Sequence, residues 1–267
     1  MSFIDTKDIT IYYEKSPSRS KGPLLYIGGT GSDLRNRPNQ LNSPLTEHFE
    51  LIGYDQRGLG QTSKPTQPYS MKQYADDAAD LIDKLGISSL PVMGVSFGGM
   101  VAQELAIRHP EKVSQLVLAC TSSGGKGGSS YPLHKLEELD PEKKLEAGIK
   151  INDLRITDAW AKENTEDWKK LKELSANRIQ YKPEPSGFKN QLMARKEHDT
   201  SNRLSAIKVP VLLLGGKYDG IAPVKNMEYL HKNIKFSTLN FYEGGHLFLI
   251  QDKEAFKDII EWITKNR

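Results

Sequence analysis

The chain has 267 residues, with 37 Lys and Arg against 34 Asp and Glu for a formal charge of +3, and 37% hydrophobic and 27% charged residues. This is the composition of a globular protein long enough to bury a sizeable core. The small, dispersed charge, without an arginine-rich run, excludes a partner of nucleic-acid type, and no apolar stretch nears the about 18 residues that cross a bilayer.

Polar and acidic residues occupy the start, where a signal peptide would carry its apolar segment, so a cytoplasmic address is expected. Cys120 is the single cysteine, so neither an intramolecular disulfide nor a cysteine-type zinc site can form. It ends the apolar run 116–119 and is expected to be a buried core thiol rather than a nucleophile.

Short apolar runs bounded by Gly, Asp or Pro recur at 24–27, 51–54, 90–93, 113–119, 209–214 and 236–242. Their apolarity is continuous rather than alternating, which predicts strands covered on both faces. Between them lie helical patterns. Residues 71–85 set Tyr74, Ala78, Leu81, Ile82 and Leu85 at three- and four-residue steps, with Gly86 as a stop. Further helices are expected at 99–108, closed by Pro110, and at 223–233 and 253–265. The fold class implied is α/β, with a mostly parallel central sheet and helices on both faces.

The alternation breaks between 123 and 204, where no strand is expected and Trp160 and Trp168 stand among Lys and Glu. This stretch reads as a helical cap, 123–204, inserted in a core of residues 1–122 and 205–267. The Gly- and Ser-rich residues 122–130 that lead into it predict a flexible connection, and Lys182-Pro183-Glu184-Pro185 breaks it internally. The cap is therefore expected to move relative to the core. Residues 122–130 lack the Gly-Lys-Ser/Thr close of a phosphate loop and are read as a linker.

Gly94-Val95-Ser96-Phe97-Gly98 sits between the strand 90–93 and the helix that follows. A sharp strand-to-helix turn there would hold Ser96 out at its tip, with small residues at 94 and 98 letting neighbouring backbone pass. The helix start offers N–H groups to developing negative charge. A serine hydroxyl needs a base at neutral pH. Of the six histidines, His109 and His231 read as helix-terminal or solvated, His48 as a loop residue, and His134 and His198 as surface residues of the charged insertion. His246 follows the last strand through Glu243-Gly244-Gly245, a tight loop able to carry an imidazole over the strand ends, and is the expected base. Asp219, just past the end of the strand 209–214, is the expected acceptor that orients the imidazole.

The order Ser96, Asp219, His246, each after its own strand, resembles the α/β-hydrolase superfamily. Residues 51–63, with Arg57-Gly58-Leu59-Gly60-Gln61-Thr62-Ser63, resemble its Arg-Gly-x-Gly-x-Ser loop. Asp219-Gly220-Ile221-Ala222-Pro223 resembles its acid loop and Gly244-Gly245-His246 its histidine loop. The likeness covers residues 22–122 and 207–265. It implies a serine hydrolase with Ser96, Asp219 and His246 as catalytic triad, and an oxyanion hole from the backbone N–H groups of Phe97 and Thr30. Gly28-Gly29 stands where the family carries His-Gly.

Residues 29–35 are similar to a loop of 3-oxoadipate enol-lactonases. This implies a small-molecule ester or lactone as substrate, with Arg35 as an anion contact; separately, Trp160, an apolar residue of the cap, is expected to contact substrate. No metal or organic cofactor is implied. Serine at 96 sets the chain apart from relatives that carry aspartate there. The same triad also serves carbon–carbon bond hydrolysis and cofactor-free perhydrolysis, and a slow-turnover ligand receptor of this fold is a further alternative. Oligomeric state is not legible.

Overall fold

A computed structural model describes residues 2–19 and 21–266; Met1, Ser20 and Arg267, which the expected core ranges include, lie outside the described residues. One sheet is built from β1 (Ser2–Asp5), β2 (Thr10–Lys15), β3 (Pro23–Ile27), β4 (Glu50–Tyr54), β5 (Leu90–Val95), β6 (Val113–Ala119), β7 (Val211–Gly216) and β8 (Ser237–Tyr242). Its strand order is β1-β2-β4-β3-β5-β6-β7-β8. All pairs from β4 to β8 are parallel, whereas β1–β2 and β2–β4 are antiparallel. The strands β1 and β2 are not legible in the sequence because their apolar runs are short, Phe3-Ile4 between Ser2 and Asp5 and Ile11-Tyr12-Tyr13 between Thr10 and Glu14. The strands expected from 209 and 236 begin at Val211 and Ser237.

Two helices precede or follow β5: α1 (Met71–Lys84) and α2 (Phe97–Arg108). The N-terminus of α1 is a capping box in which Ser70 and Gln73 satisfy each other's backbone N–H groups. Between β6 and β7 come α3 (Pro141–Asn152), α4 (Asp158–Glu163), α5 (Thr165–Asn177) and α6 (Pro185–Lys196); α7 (Val224–Asn233), α8 (Phe248–Gln251) and α9 (Glu254–Lys265) complete the chain. The break expected at 182–185 falls between α5 and α6, with Pro185 in the first turn of α6, where its missing N–H costs no bond.

Alternate strand residues feed two cores. Leu25, Ile52, Val92, Leu118 and Leu213 pack with α1, α2 and with Met227 and Leu230 of α7. Leu24, Leu51, Met93, Val117 and Leu212 pack with Phe248 of α8 and Ala255, Ile259 and Ile263 of α9. Each fully buried aliphatic side chain contributes about 1.5–3 kcal/mol, so covering both faces explains the unbroken apolarity of the central strands. None of the helices among the described residues is long and apolar enough to cross a membrane.

The connection at 122–130 is not the flexible linker its composition suggests. Ser122, Ser123 and Gly124 are buried, and Gly124 forms a β-bridge with Asp199. Thr200 N–H donates to Ser123 O (2.8 Å), and Lys126 N–H to Ser201 Oγ (3.3 Å). Gly124, Gly125 and Gly128 have φ of 64°, 48° and 82°, so the glycines serve left-handed turns rather than slack. His198 is likewise not a surface residue. It is 4% exposed, with Nε2–H donating to Ser122 O (3.2 Å). Its polar sequence neighbours conceal a burial made by chain 76 residues away.

Candidate active site

The adjacency of β5, β6, β7 and β8 gathers whatever follows their carboxyl ends. Val95 pairs with Ala119, Ala119 with Leu214, and Gly216 with Tyr242, so the residues just beyond these strands converge on one rim.

Ser96 caps α2 with φ 55° and ψ −115°, a left-handed conformation that costs a non-glycine residue about 1–3 kcal/mol. Surrounding bonds hold it there. Its N–H donates to Ala119 O (2.9 Å), and its carbonyl accepts from Gly99 N–H (2.9 Å) and Thr121 Oγ1 (2.8 Å). The flanking glycines are required by contact: a Cβ on Gly94 would lie 2.3 Å from Gly98 O, and one on Gly98 2.0 Å from Ile27 O.

Asp219 is buried just past β7. Its Oδ1 accepts from the N–H groups of Ile221 (2.7 Å) and Ala222 (2.8 Å), leaving Oδ2 for His246 Nδ1 at 2.7 Å. A carboxylate only accepts, so the proton sits on Nδ1 and Nε2 presents its lone pair to Ser96 Oγ at 3.0 Å. The carboxylate is fully shielded and the imidazole side chain 10% exposed. A shielded carboxylate, an imidazole and a hydroxyl thus form one continuous chain, an arrangement that can move a proton off oxygen.

Phe97 opens α2, where first-turn N–H groups have no intrahelical acceptor. The loop after β3 runs beside Ser96: a Cβ on Gly29 would lie 3.6 Å from Ser96 Cβ, and Thr30 comes next, its hydroxyl buried without a partner. That loop is braced on two sides. Gln56 Nε2 donates to Gly28 O (2.9 Å), and Gly31 N–H donates to Gln191 Oε1 of α6 (2.9 Å). Neither glutamine stands out in the sequence, although Gln56 lies within residues 51–63 and immediately precedes Arg57 of the Arg-Gly-x-Gly motif.

Arg35 has partners of its own. Its Nε and Nη2 donate to Asp33 (3.0 and 2.6 Å), and its guanidinium lies 4.6 Å from the centre of the Tyr181 ring. Trp160 is half-buried in α4. Among the described residues, no contact joins Arg35 or Trp160 to Ser96 or His246. Asp199, another carboxylate of the helical segment, accepts from Ser201 N–H and Oγ (2.9 and 2.7 Å), which ties it to a turn.

Cys120 is buried as expected. Its Sγ lies within 4.8 Å of ligand atoms of Asp219 and His246. Burial, and secondarily the Asp219 charge, push the thiol well above its ordinary range, whereas metals bind the thiolate. With Nδ1 and Oδ2 already each other's partners, the trio is read as a core thiol beside an acid–base pair.

Comparison with known proteins agrees with this architecture. A family model described as alpha/beta hydrolase fold matches residues 22–253. The chain is 27% identical to 3-oxoadipate enol-lactonase 2 of Acinetobacter baylyi, covering 98% of this chain and 96% of that protein. It is 30% identical to a poly(3-hydroxyalkanoate) depolymerase of Ectopseudomonas oleovorans over 89% of this chain and 82% of that protein. The crystal structure of a hydrolase from Pseudomonas aeruginosa superposes with a TM-score of 0.79 at 25% identity, covering 98% of this chain and 97% of that one.

Proposed function

The chain belongs to the α/β-hydrolase fold family, and on that premise we propose that it is a serine hydrolase cleaving a carboxylic ester or lactone of a small molecule. The observation that carries this reading is the unbroken chain Asp219 Oδ2, His246 Nδ1 and Nε2, Ser96 Oγ, at 2.7 and 3.0 Å. His246 Nε2 takes the Ser96 proton as Oγ attacks the carbonyl, and the N–H groups of Phe97 and Thr30 hold the oxyanion. The imidazolium then protonates the departing oxygen. In the second half, His246 takes a proton from water, whose hydroxide oxygen attacks the acyl-enzyme; the acid leaves and Ser96 regains its proton.

An enol-lactone and a poly(3-hydroxyalkanoate), named in the two relatives, both contain carboxylic ester linkages. Residues 123–204 are, in this reading, the cap that shapes the pocket, with residues 1–122 and 205–267 as the core. Support comes from Gln191 and Phe188 of α6, which lie against Gly31 in the loop beside Ser96.

Intact-mass analysis after a fluorophosphonate probe, beside a panel of acyl esters and lactones, tests the reading. One adduct and ester turnover are expected on the wild type, and neither on Ser96→Ala. Equal labelling and turnover by Ser96→Ala would refute it. Labelling without any ester or lactone turnover would redirect the same triad to carbon–carbon cleavage or slow-turnover ligand binding.

A further inference from the structure

Arginines with buried or half-buried contacts follow one rule in this fold: each meets a carboxylate, Arg203 through Nη1 and Nη2 on Glu104. Arg35, Arg57 and Arg155 each set the Nε and Nη2 edge of the guanidinium against a carboxylate, of Asp33, Asp77 and Asp153 respectively. That edge matches a carboxylate bidentately.

Arg195 of α6 breaks the rule. It is 6% exposed, its Nη1 donates to Tyr131 O (2.7 Å), and its Nε and Nη2 are buried with no partner. No acidic side chain pairs with it among the described residues. Burial lowers its guanidinium to about 10, which still leaves it charged at neutral pH. An unpaired buried charge is among the most unfavourable groups a core can hold, so a bare bidentate edge calls for an anion.

Beside it lies a cavity of about 130 Å³ with the right surroundings. Arg195, Lys196, His134 and His198 line it together with Ser122, and no Asp or Glu does. The Ser122 hydroxyl is buried without a partner, a second donor in waiting. Burial lowers His198 to about 4, so the imidazole is neutral, and the buried positive charge is that of Arg195, with exposed Lys196 as a second cation of the lining. A water needs about 10–15 Å³ on this measure, so the space admits a small acid or the acid end of a larger molecule.

We infer that this cavity is a binding site for a carboxylate, held bidentately by Nε and Nη2 of Arg195 with Ser122 Oγ as an added donor. The site adjoins the candidate active site. Met100, one helical turn beyond Ser96, is part of its wall, and Tyr131, fastened to Arg195, donates its N–H to Ile221 O (2.7 Å) beside Asp219. The carboxylate has two sources: the substrate's own acid group or a free small acid. Binding itself does not rest on the catalytic reading above.

Thermal unfolding of the full chain in chloride buffer, titrated with sodium acetate or succinate at constant ionic strength, tests the site. A saturable rise of roughly 5 °C is expected at a hundred times Kd. Arg195→Met should abolish that rise while unfolding no lower than wild type in carboxylate-free buffer. If Arg195→Met does not fold, Ser122→Ala decides, with a several-fold weaker acetate affinity expected. No saturable rise, or an equal rise in the variant, overturns the proposal.

Two 4-nitrophenyl esters of equal chain length, one neutral and one ending in a carboxylate, then separate the sources. If the anion belongs to the substrate, kcat/KM favours the acidic ester on the order of tenfold or more, and Arg195→Met removes the preference. If it is a free acid, added acetate changes both esters alike. Should neither ester turn over, the unfolding titration still decides the binding site.

Discussion

The backbone N–H of His246 donates to the carbonyl of Asn152 over 2.6 Å, so the imidazole's own residue hangs from the last turn of α3. One residue along the same helix end, Ile151 O accepts from Gly220 N–H at 3.1 Å, next to Asp219. Two carbonyls of the helical segment thus set the loops of both Asp219 and His246. They are the carbonyls a helix C-terminus leaves without intrahelical donors.

Gly245→Ala probes this brace, because a Cβ there would fall 1.9 Å from Asn152 O. The clash pushes α3 and the His246 loop apart without altering the side chain of Ser96, Asp219 or His246. The expected loss in kcat is about 10- to 100-fold, since displacements near 1 Å carry that cost. The check is steady-state kinetics with a urea midpoint showing that the variant is folded; an unchanged kcat would mean that the brace is dispensable.

Replacing Asp219 by Asn keeps the shape but offers His246 an NH₂ where it needs an acceptor. The imidazole then turns its proton toward Ser96, and kcat should fall by on the order of 10⁴. Asp199→Asn should stay near wild type, because the hydrogen bonds of the Asp199 carboxylate go to Ser201 of its own turn. A large loss at Asp199 with little at Asp219 would reassign the acid.

Gly98→Ala places a methyl 2.0 Å from Ile27 O, where backbone of β3 cannot withdraw. We expect a loss of at least about 3 kcal/mol, the upper end of ordinary overpacking. Gly86→Ala is the contrast. Nothing lies within 4 Å of its Cβ, but φ is +71°, so conformational strain alone should cost about 1–2 kcal/mol. Urea unfolding of the two variants measures the difference.

His198 predicts a pH dependence of stability. Burial lowers its pKa to about 4, below the about 6.5 of an unfolded histidine. Between those values the unfolded chain binds the extra proton, so the contribution is complete above about pH 6.5 and is lost as pH falls toward 4. The loss attributable to His198 is at most about 3 kcal/mol. Urea unfolding at pH 7 and pH 4.5 should show a smaller acid loss for His198→Gln than for wild type. Equal losses would show that His198 is not held neutral.

The residues of the candidate triad are legible in sequence because each sits where local patterns speak: a Gly-flanked serine between strand and helix, and an Asp and a His in tight loops after strands. The central strands are legible for the same reason, being apolar on both faces. What stays hidden depends on distant chain. Ser122–Gly128 has the composition of a linker, yet Asp199, Thr200 and Ser201 pin it. His198 reads as a surface residue of the charged insertion, and Arg195 is not singled out, because nothing in their sequence neighbours tells which side faces inward. The carbonyls of Ile151 and Asn152 carry no side-chain signature at all.

The β-bridge between Gly124 and Asp199 brings the two ends of the helical segment side by side. Such a segment has the geometry of an exchangeable cassette: a relative's version, cut at the bridge, would meet both ends of the host sheet without spreading β6 from β7. The graft carries one condition. Whatever helices it brings must present two free carbonyls where Ile151 and Asn152 stand, or the recipient would inherit a new pocket above unsupported Asp219 and His246 loops.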